Sequence, residues 1–170
     1  MLIGYSKTML DHKAQKQQEH LALLSIGQRA YLLNFKEKMI GRNLITLAKA
    51  IQHHEGWGPD DLKTLGVNEE TPSFRNNNPG NLMASPWAIG NRGRFAYFYS
   101  EEIGFMALLW DLYQKCTGNT VTGLSGKSTL EQLMTVYAPP AENNTGAYIT
   151  FIEGRTGFSR KMKLVELLAK

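Results

Sequence analysis

Cysteine is nearly absent: Cys116 is the only one in 170 residues. A single thiol excludes an internal disulfide framework and a cysteine-built zinc site, and Cys116 reads as a small core residue. Long apolar runs are missing too. No stretch of about 18 apolar residues appears, so no membrane-spanning segment is expected, and Met1-Leu-Ile-Gly-Tyr-Ser-Lys-Thr-Met-Leu10 lacks the apolar core of a secretory signal. The expectation is a soluble chain made in the cytoplasm, delivered by something else if it acts outside. Basic runs interleaved with aromatics are also absent. A net charge of +4 and a pI near 9.2 favour anionic partners, but a nucleic-acid groove is not among them on this pattern. Internal repeats and low-complexity tracts are lacking. With 42% hydrophobic and 20% charged residues the chain can bury one sizeable core, hence one domain with at most an appendage.

Several motifs fail on inspection. His53-His54-Glu55 has no histidine at position 58, and His12 and His20 lie far upstream, so no zinc site is expected and no cofactor is indicated. Gly123-Leu-Ser-Gly-Lys-Ser128 is preceded by no apolar strand and carries Val121 where a phosphate loop needs glycine; it reads as a polar inter-helix loop. Asn143-Asn144-Thr145 matches a glycosylation acceptor only by chance in a chain without a secretory signal. Asp111 and Glu131 read as members of solvated helix faces.

What is present begins with a change of texture near residue 42. Residues 1–42 contain no proline and read as one or two amphipathic helices, an N-terminal extension that packs on the main domain or tethers it. From 43 to 56, Leu44, Leu47, Ala48, Ile51 and Glu55 recur at three- and four-residue spacing, which places a carboxyl on an apolar stripe. Gly56, Gly58 and Pro59 then stop the helix. Residues 57–100 are dense in glycine, proline and asparagine, with short extended pieces expected only at Leu82–Ala84 and Arg94–Tyr99. Ser100 caps a helix from Glu101 to about Cys116, with Ile103, Met106, Ala107, Trp110 and Tyr113 as its buried stripe. Further helices are expected over Thr129–Tyr137 and over Ser159–Ala169, with another starting at Ala147 to Ile152. The fold expected is mainly α with a small β-hairpin.

Glu55 is the residue with chemistry in it. Partial desolvation and the negative end of the helix dipole both raise a carboxyl pKa, and an acid kept protonated near neutral pH can serve as a general acid. Around it the loops offer residue types suited to sugars: amides such as Asn76, Asn77, Asn78, Asn81, Asn143 and Asn144, and rings such as Trp57, Trp87, Tyr97, Tyr137 and Tyr148. An asparagine in such a loop is, at each single position, more often a turn former than a ligand contact.

Four strings occur in order: His54-Glu-Gly-Trp57, Ser73-Phe-Arg-Asn-Asn-Asn-Pro-Gly-Asn-Leu82, Phe95-Ala-Tyr-Phe-Tyr-Ser-Glu-Glu-Ile-Gly-Phe-Met-Ala-Leu108 and Tyr137-Ala-Pro-Pro-Ala-Glu-Asn-Asn-Thr-Gly-Ala-Tyr148. Together they resemble the lysozyme-like domains of phage virion proteins, related to lytic transglycosylases and goose-type lysozymes, over about residues 43–152. The resemblance implies an α+β lysozyme-like catalytic domain over residues 43–170, a helical bundle whose β-hairpin region forms a substrate cleft. It implies Glu55 as the catalytic acid, with Asn78, Asn81, Tyr97, Tyr137 and Tyr148 lining the cleft, and peptidoglycan glycan strands as the partner. Other virion proteins are candidate partners through residues 1–42, and the site of action implied is the bacterial cell wall.

This chain departs from the better-known transglycosylases by placing Gly56, not serine, after the glutamate. The implied reaction is cleavage of the β-1,4 bond between N-acetylmuramic acid and N-acetylglucosamine, ended by water or by the muramyl 6-hydroxyl. Of the remaining acids, Asp60, Asp61, Glu101 and Glu102 sit in no apolar setting, so no second carboxylate stands out and the transglycosylase route is favoured. Hydrolysis, and a noncatalytic wall-binding or virion structural module of the same fold, are the alternatives.

Overall fold

The computed structural model describes residues 40–57 and 71–169. The expected extension lies outside the described residues up to position 39, as do Asp60 and Asp61. The last residues of that extension do pack: Ile40 is buried, and a Cβ on Gly41 would lie 2.3 Å from the Ala169 carbonyl oxygen.

Helix α1, Arg42–His54, forms on the apolar stripe that the spacing predicts. Leu44, Leu47, Ala48 and Ile51 are wholly buried, and each fully buried Leu or Ile contributes about 1.5–3 kcal/mol. A four-residue helix α2, Pro72–Arg75, follows, capped by the Thr71 hydroxyl and started by proline at its first position. The only sheet among the described residues pairs β1, Gly90–Arg92, antiparallel with β2, Phe95–Tyr97, in the register Gly90↔Tyr97 and Arg92↔Phe95. A two-residue turn joins them, with positive φ only at Gly93 (62°), the arrangement of a type II′ hairpin.

The partner of the aromatic strand is therefore Gly90–Arg92. Leu82–Ala84, expected to be extended, is not a strand, although the Leu82 carbonyl accepts a hydrogen bond from Ala96 N at 2.8 Å.

Helix α3, Glu101–Thr117, begins at the Ser100 cap and ends at Gly118 in the left-handed region (φ 80°). Its buried face is broader than the expected stripe. Ile103, Gly104, Ala107, Leu108, Leu109, Leu112 and Cys116 are sealed, while Met106, Trp110 and Tyr113 are half-buried at the edge of the core. The helix packs against α1 on one side and against the helix that closes the chain on another, so two neighbours widen its apolar arc.

Helix α4, Leu130–Tyr137, starts at a capping box built by Thr129 and Gln132. Helix α5, Thr145–Thr156, begins two residues before the expected Ala147, because Asn144 Oδ1 accepts from Ala147 N, and Gly157 (φ 74°) closes it. The last helix, expected over Ser159–Ala169, shrinks to α6, Leu164–Leu167. The physical reason is competition for backbone groups. The carbonyls of Arg160 and Met162 accept from Glu131 N and Leu130 N, satisfying the first donors of α4, and Lys163 is held in a bridge to Thr129. The result is a mainly α structure with one small antiparallel hairpin. α1 is central, touching α3, α5 and α6.

Candidate active site

The chain leaves α1 through a tight C-terminal turn. Gly56 takes φ 82°, its N–H donates to the His53 carbonyl at 3.1 Å, and Trp57 N–H donates to Gln52 at 3.0 Å. This pair of bonds is a Schellman motif, and it locks Glu55 as the capping residue with its own N–H still bonded to Ile51. Trp57 is buried on the ring of Phe74 at 4.7 Å. From the other side Ser73, wholly buried, donates to the Glu55 carbonyl at 2.6 Å. The backbone of the acid is thus held on both flanks.

The Glu55 carboxyl has two side-chain donors. Tyr148 Oη–H reaches Oε1 at 2.8 Å and Asn81 Nδ2 reaches Oε2 at 2.6 Å. Burial raises the Glu55 pKa above the ordinary carboxylate value, and these two hydrogen bonds oppose the rise without cancelling it. Burial first, then the charge of Glu55, pushes both Tyr137 and Tyr148 upward. Both phenols therefore remain hydrogen-bond donors.

Asn81 is placed by a structured loop. Asn77 and Asn81 sit in the left-handed region at φ 49° and 47°, a conformation asparagine tolerates better than most residues. Asn77 Nδ2 donates to the carbonyls of Phe98 and Tyr99 at 2.9 and 3.1 Å. Tyr137 Oη–H clamps the Gly80 carbonyl at 2.5 Å. The loop rests directly on α3 at Gly104, where a Cβ would lie 1.8 Å from the Asn77 carbonyl oxygen.

The Asn81 amide has a second property. Its Oδ1 is buried without a partner while Nδ2 serves the carboxylate. Turning the amide over would present Oδ1 to a protonated Glu55, which would then donate. One side chain can therefore satisfy either protonation state of the acid.

Behind the acid, the His54 ring stacks on Tyr148 with centroids 3.6 Å apart and planes 21° from parallel, and it meets Phe151 at 4.9 Å. Burial, then the neighbouring His53, lowers the His54 pKa. The stack holds the phenol whose hydroxyl faces Glu55.

In front of Glu55 opens a cavity of about 520 Å³. Gly80 to Ala84, Arg94 and Phe95 form one wall; Asp111 and Lys115 on α3 and residues 136–139 with Glu142 and Asn143 form the rest. An Arg94–Glu142 ion pair links the hairpin turn to the loop between α4 and α5.

Of the expected site residues, Glu55, Asn81 and Tyr137 line this cleft, and Tyr148 backs the acid. Asn78 does not line it. Its side chain is fully buried, with Nδ2 bonded to the carbonyls of Leu82 and Ala96 and Oδ1 to Leu82 N, all at 2.9 Å, so it fastens the loop to β2. Tyr97 does not line it either. It shares the outer face of the hairpin with Arg92, whose guanidinium lies 4.6 Å from the ring centroid.

Asp111 corrects the reading in the opposite direction. Expected on a solvated face, it lines the cleft, with Oδ1 paired to Lys115 and Oδ2 buried without a partner. Nothing local announces this, because Asp111 and Lys115 at i and i+4 look like an ordinary surface pair. The role of Ser73, which fixes the Glu55 carbonyl from 18 positions away, has no local signal in the sequence.

Glu101 and Glu102 are exposed in the first turn of α3, as expected of acids at a helix start. Cys116 is buried and its thiol is pushed up to about 12, mainly by burial, so it is unreactive. Among the described residues no group of three His, Cys, Asp or Glu could hold a metal ion, and no helix is long and apolar enough to cross a membrane. No family model, curated protein or solved structure matches the chain.

Proposed function

We propose that this chain is a peptidoglycan-degrading enzyme of lysozyme-like fold that cleaves the β-1,4 bond between N-acetylmuramic acid and N-acetylglucosamine. The observation that carries the reading is Glu55: a half-buried acid with a raised pKa, at the wall of an open cleft, held by one phenol and one amide that can turn over. The cleft's volume suits a few sugar rings, and its polar wall suits their hydroxyl and acetamido groups.

In the proposed reaction, neutral Glu55 protonates the leaving glycosidic oxygen as an oxocarbenium-like centre develops. The new carboxylate is stabilised by Tyr148 and Asn81. It then takes the proton of the attacking hydroxyl, and when that hydroxyl is the muramyl 6-OH the product is a 1,6-anhydro sugar. This is the lytic transglycosylase route, with one glutamate serving as acid and then base.

Hydrolysis is the second reading, and Asp111 favours it. A carboxylate oxygen without a partner in the same cleft could orient a water, although its other oxygen is engaged by Lys115. Mass spectrometry of digested sacculi tests both. A 1,6-anhydro end supports the first route and a reducing end the second, while an undigested sacculus with folded protein would sink the proposed activity.

A further inference from the structure

Beside the hairpin turn lies a second cavity of about 510 Å³, lined among the described residues by Pro72, Arg75, Asn76, Arg92, Gly93, Arg94 and Phe95. Three of these are arginines, and among the described residues no acid lines the cavity. Arg94 and Phe95 also line the Glu55 cleft, so the two cavities meet across the hairpin turn.

The basic groups are held in different degrees. Arg92 is pre-organised: its NH1 donates to the Arg75 carbonyl at 3.1 Å and its plane lies over Tyr97, while its other N–H groups have no hydrogen-bond acceptor among the described residues. Arg94 leans on Phe95 and pairs with Glu142. The Arg75 guanidinium has no ion pair or hydrogen bond among the described residues.

Asn76 adds an independent observation. It is 4% exposed and lines the cavity, yet its side-chain amide has no hydrogen bond among the described residues. An amide in that state is open to a ligand or to water in the cavity. The guanidinium groups of Arg75 and Arg92, an amide and apolar walls from Pro72 and Phe95 are the chemistry of an oxyanion site.

We infer that the Arg75–Asn76–Arg92 pocket binds a carboxylate or phosphoryl group carried as a substituent on the polymer that occupies the Glu55 cleft. The pocket stands on its own geometry; the ligand's origin in a wall polymer rests on the proposed function. A strand crossing the hairpin would set a substituent down about one pocket away from the bond being cleaved, so the site selects charged, decorated strands over bare ones.

Titration of the full chain with inorganic phosphate at constant ionic strength, followed by calorimetry, tests the site. Saturable binding is expected, weakened at least tenfold in the Arg75→Gln, Arg92→Gln double variant. Arg92 also bonds the Arg75 carbonyl, so Arg75→Gln alone serves as the variant that disturbs no hydrogen bond among the described residues; a severalfold weakening is expected. Absence of saturation in the wild type, or equal binding by the variants, overturns the inference.

The source of the anion is read from KM on sacculi before and after acid removal of phosphoryl polymers. A rise for Arg75→Gln confined to untreated sacculi assigns a phosphoryl group, and a rise on both assigns a stem-peptide carboxylate. No rise on either overturns the assignment to the polymer. Arginine-dependent phosphate binding by a chain that cleaves no peptidoglycan would leave the pocket standing and remove the proposed enzyme.

Discussion

Asn81 reaches Oε2 of Glu55 at 2.6 Å from a backbone held at φ 47°, so one residue supplies both an unusual conformation and the partner of the acid. The two contributions can be separated. Asn81→Gly keeps the left-handed turn and loses the amide; Asn81→Ala loses both. Thermal unfolding should therefore show Asn81→Ala less stable than Asn81→Gly by about 1 kcal/mol. Turnover should fall similarly in both, by about tenfold or more, because both leave the Glu55 carboxylate without its amide partner. Full activity in Asn81→Gly would remove the amide from the mechanism.

Glu55 should cost the protein stability. Its folded-state pKa is raised above the unfolded value, so its contribution to stability is fully present below the unfolded pKa and is lost as pH rises through the folded one. Glu55→Gln stays neutral, accepts from Tyr148 and donates to an overturned Asn81. The variant should lose at least about 10²-fold in activity while melting higher than wild type at neutral pH, by on the order of 1 kcal/mol or 2–4 °C. The gap should shrink as pH falls below the ordinary glutamate pKa, where the wild-type acid becomes protonated in both states. A constant gap across that range would mean that ionisation is not its source.

Tyr148→Phe isolates one hydrogen bond. That bond stabilises the ionised form of Glu55 and lowers its pKa, so its removal pushes the pKa further up. An acid that must be protonated then remains so to higher pH. The alkaline limb of kcat/KM should shift upward, and stability at neutral pH should drop by roughly 1–2 kcal/mol as Glu55 Oε1 loses its donor. The His54 stack remains available to a phenylalanine ring, so the packing is conserved. An unmoved limb would separate Tyr148 from the titration.

How far the sequence carries such arguments depends on how local each cause is. Glu55 is readable because α1's stripe and its glycine stop lie within one segment, and so is the cap at Ser100. The residues that complete the site are brought in over long separations: Tyr148 stands 93 positions from Glu55, and Asn81 stands 26. Asn78 and Asn81 belong to one loop and one residue type, yet one is sealed against backbone and the other faces the acid; the difference lies in which carbonyls pack against the loop. Asp111 failed for the same reason, since its face of α3 becomes a cleft wall only when Tyr137 and the hairpin arrive opposite. The final helix was overestimated because apolar spacing does not reveal that residues 160–163 serve the start of α4.

The position of Asn81 also depends on a contact that contains no functional group. At Gly104, near the start of α3, an added Cβ would meet the Asn77 carbonyl oxygen at 1.8 Å, its carbon at 3.0 Å and Pro79 Cδ at 2.9 Å. Backbone atoms cannot swing aside as a flexible side chain can. Gly104→Ala must push the loop off the helix, at a cost of about 3 kcal/mol by analogy with overpacked cores, and the displaced loop should take Asn81 away from Glu55. Gly154, in α5, is the control: a Cβ there meets nothing within 4 Å, and alanine in a helix is favoured over glycine by roughly 0.5–1 kcal/mol. Gly154→Ala should melt slightly higher than wild type with unchanged turnover, while Gly104→Ala should lose both stability and kcat. If Gly104→Ala kept wild-type kcat at a temperature where it is folded, the loop would be free to hold Asn81 in place without its seat on α3.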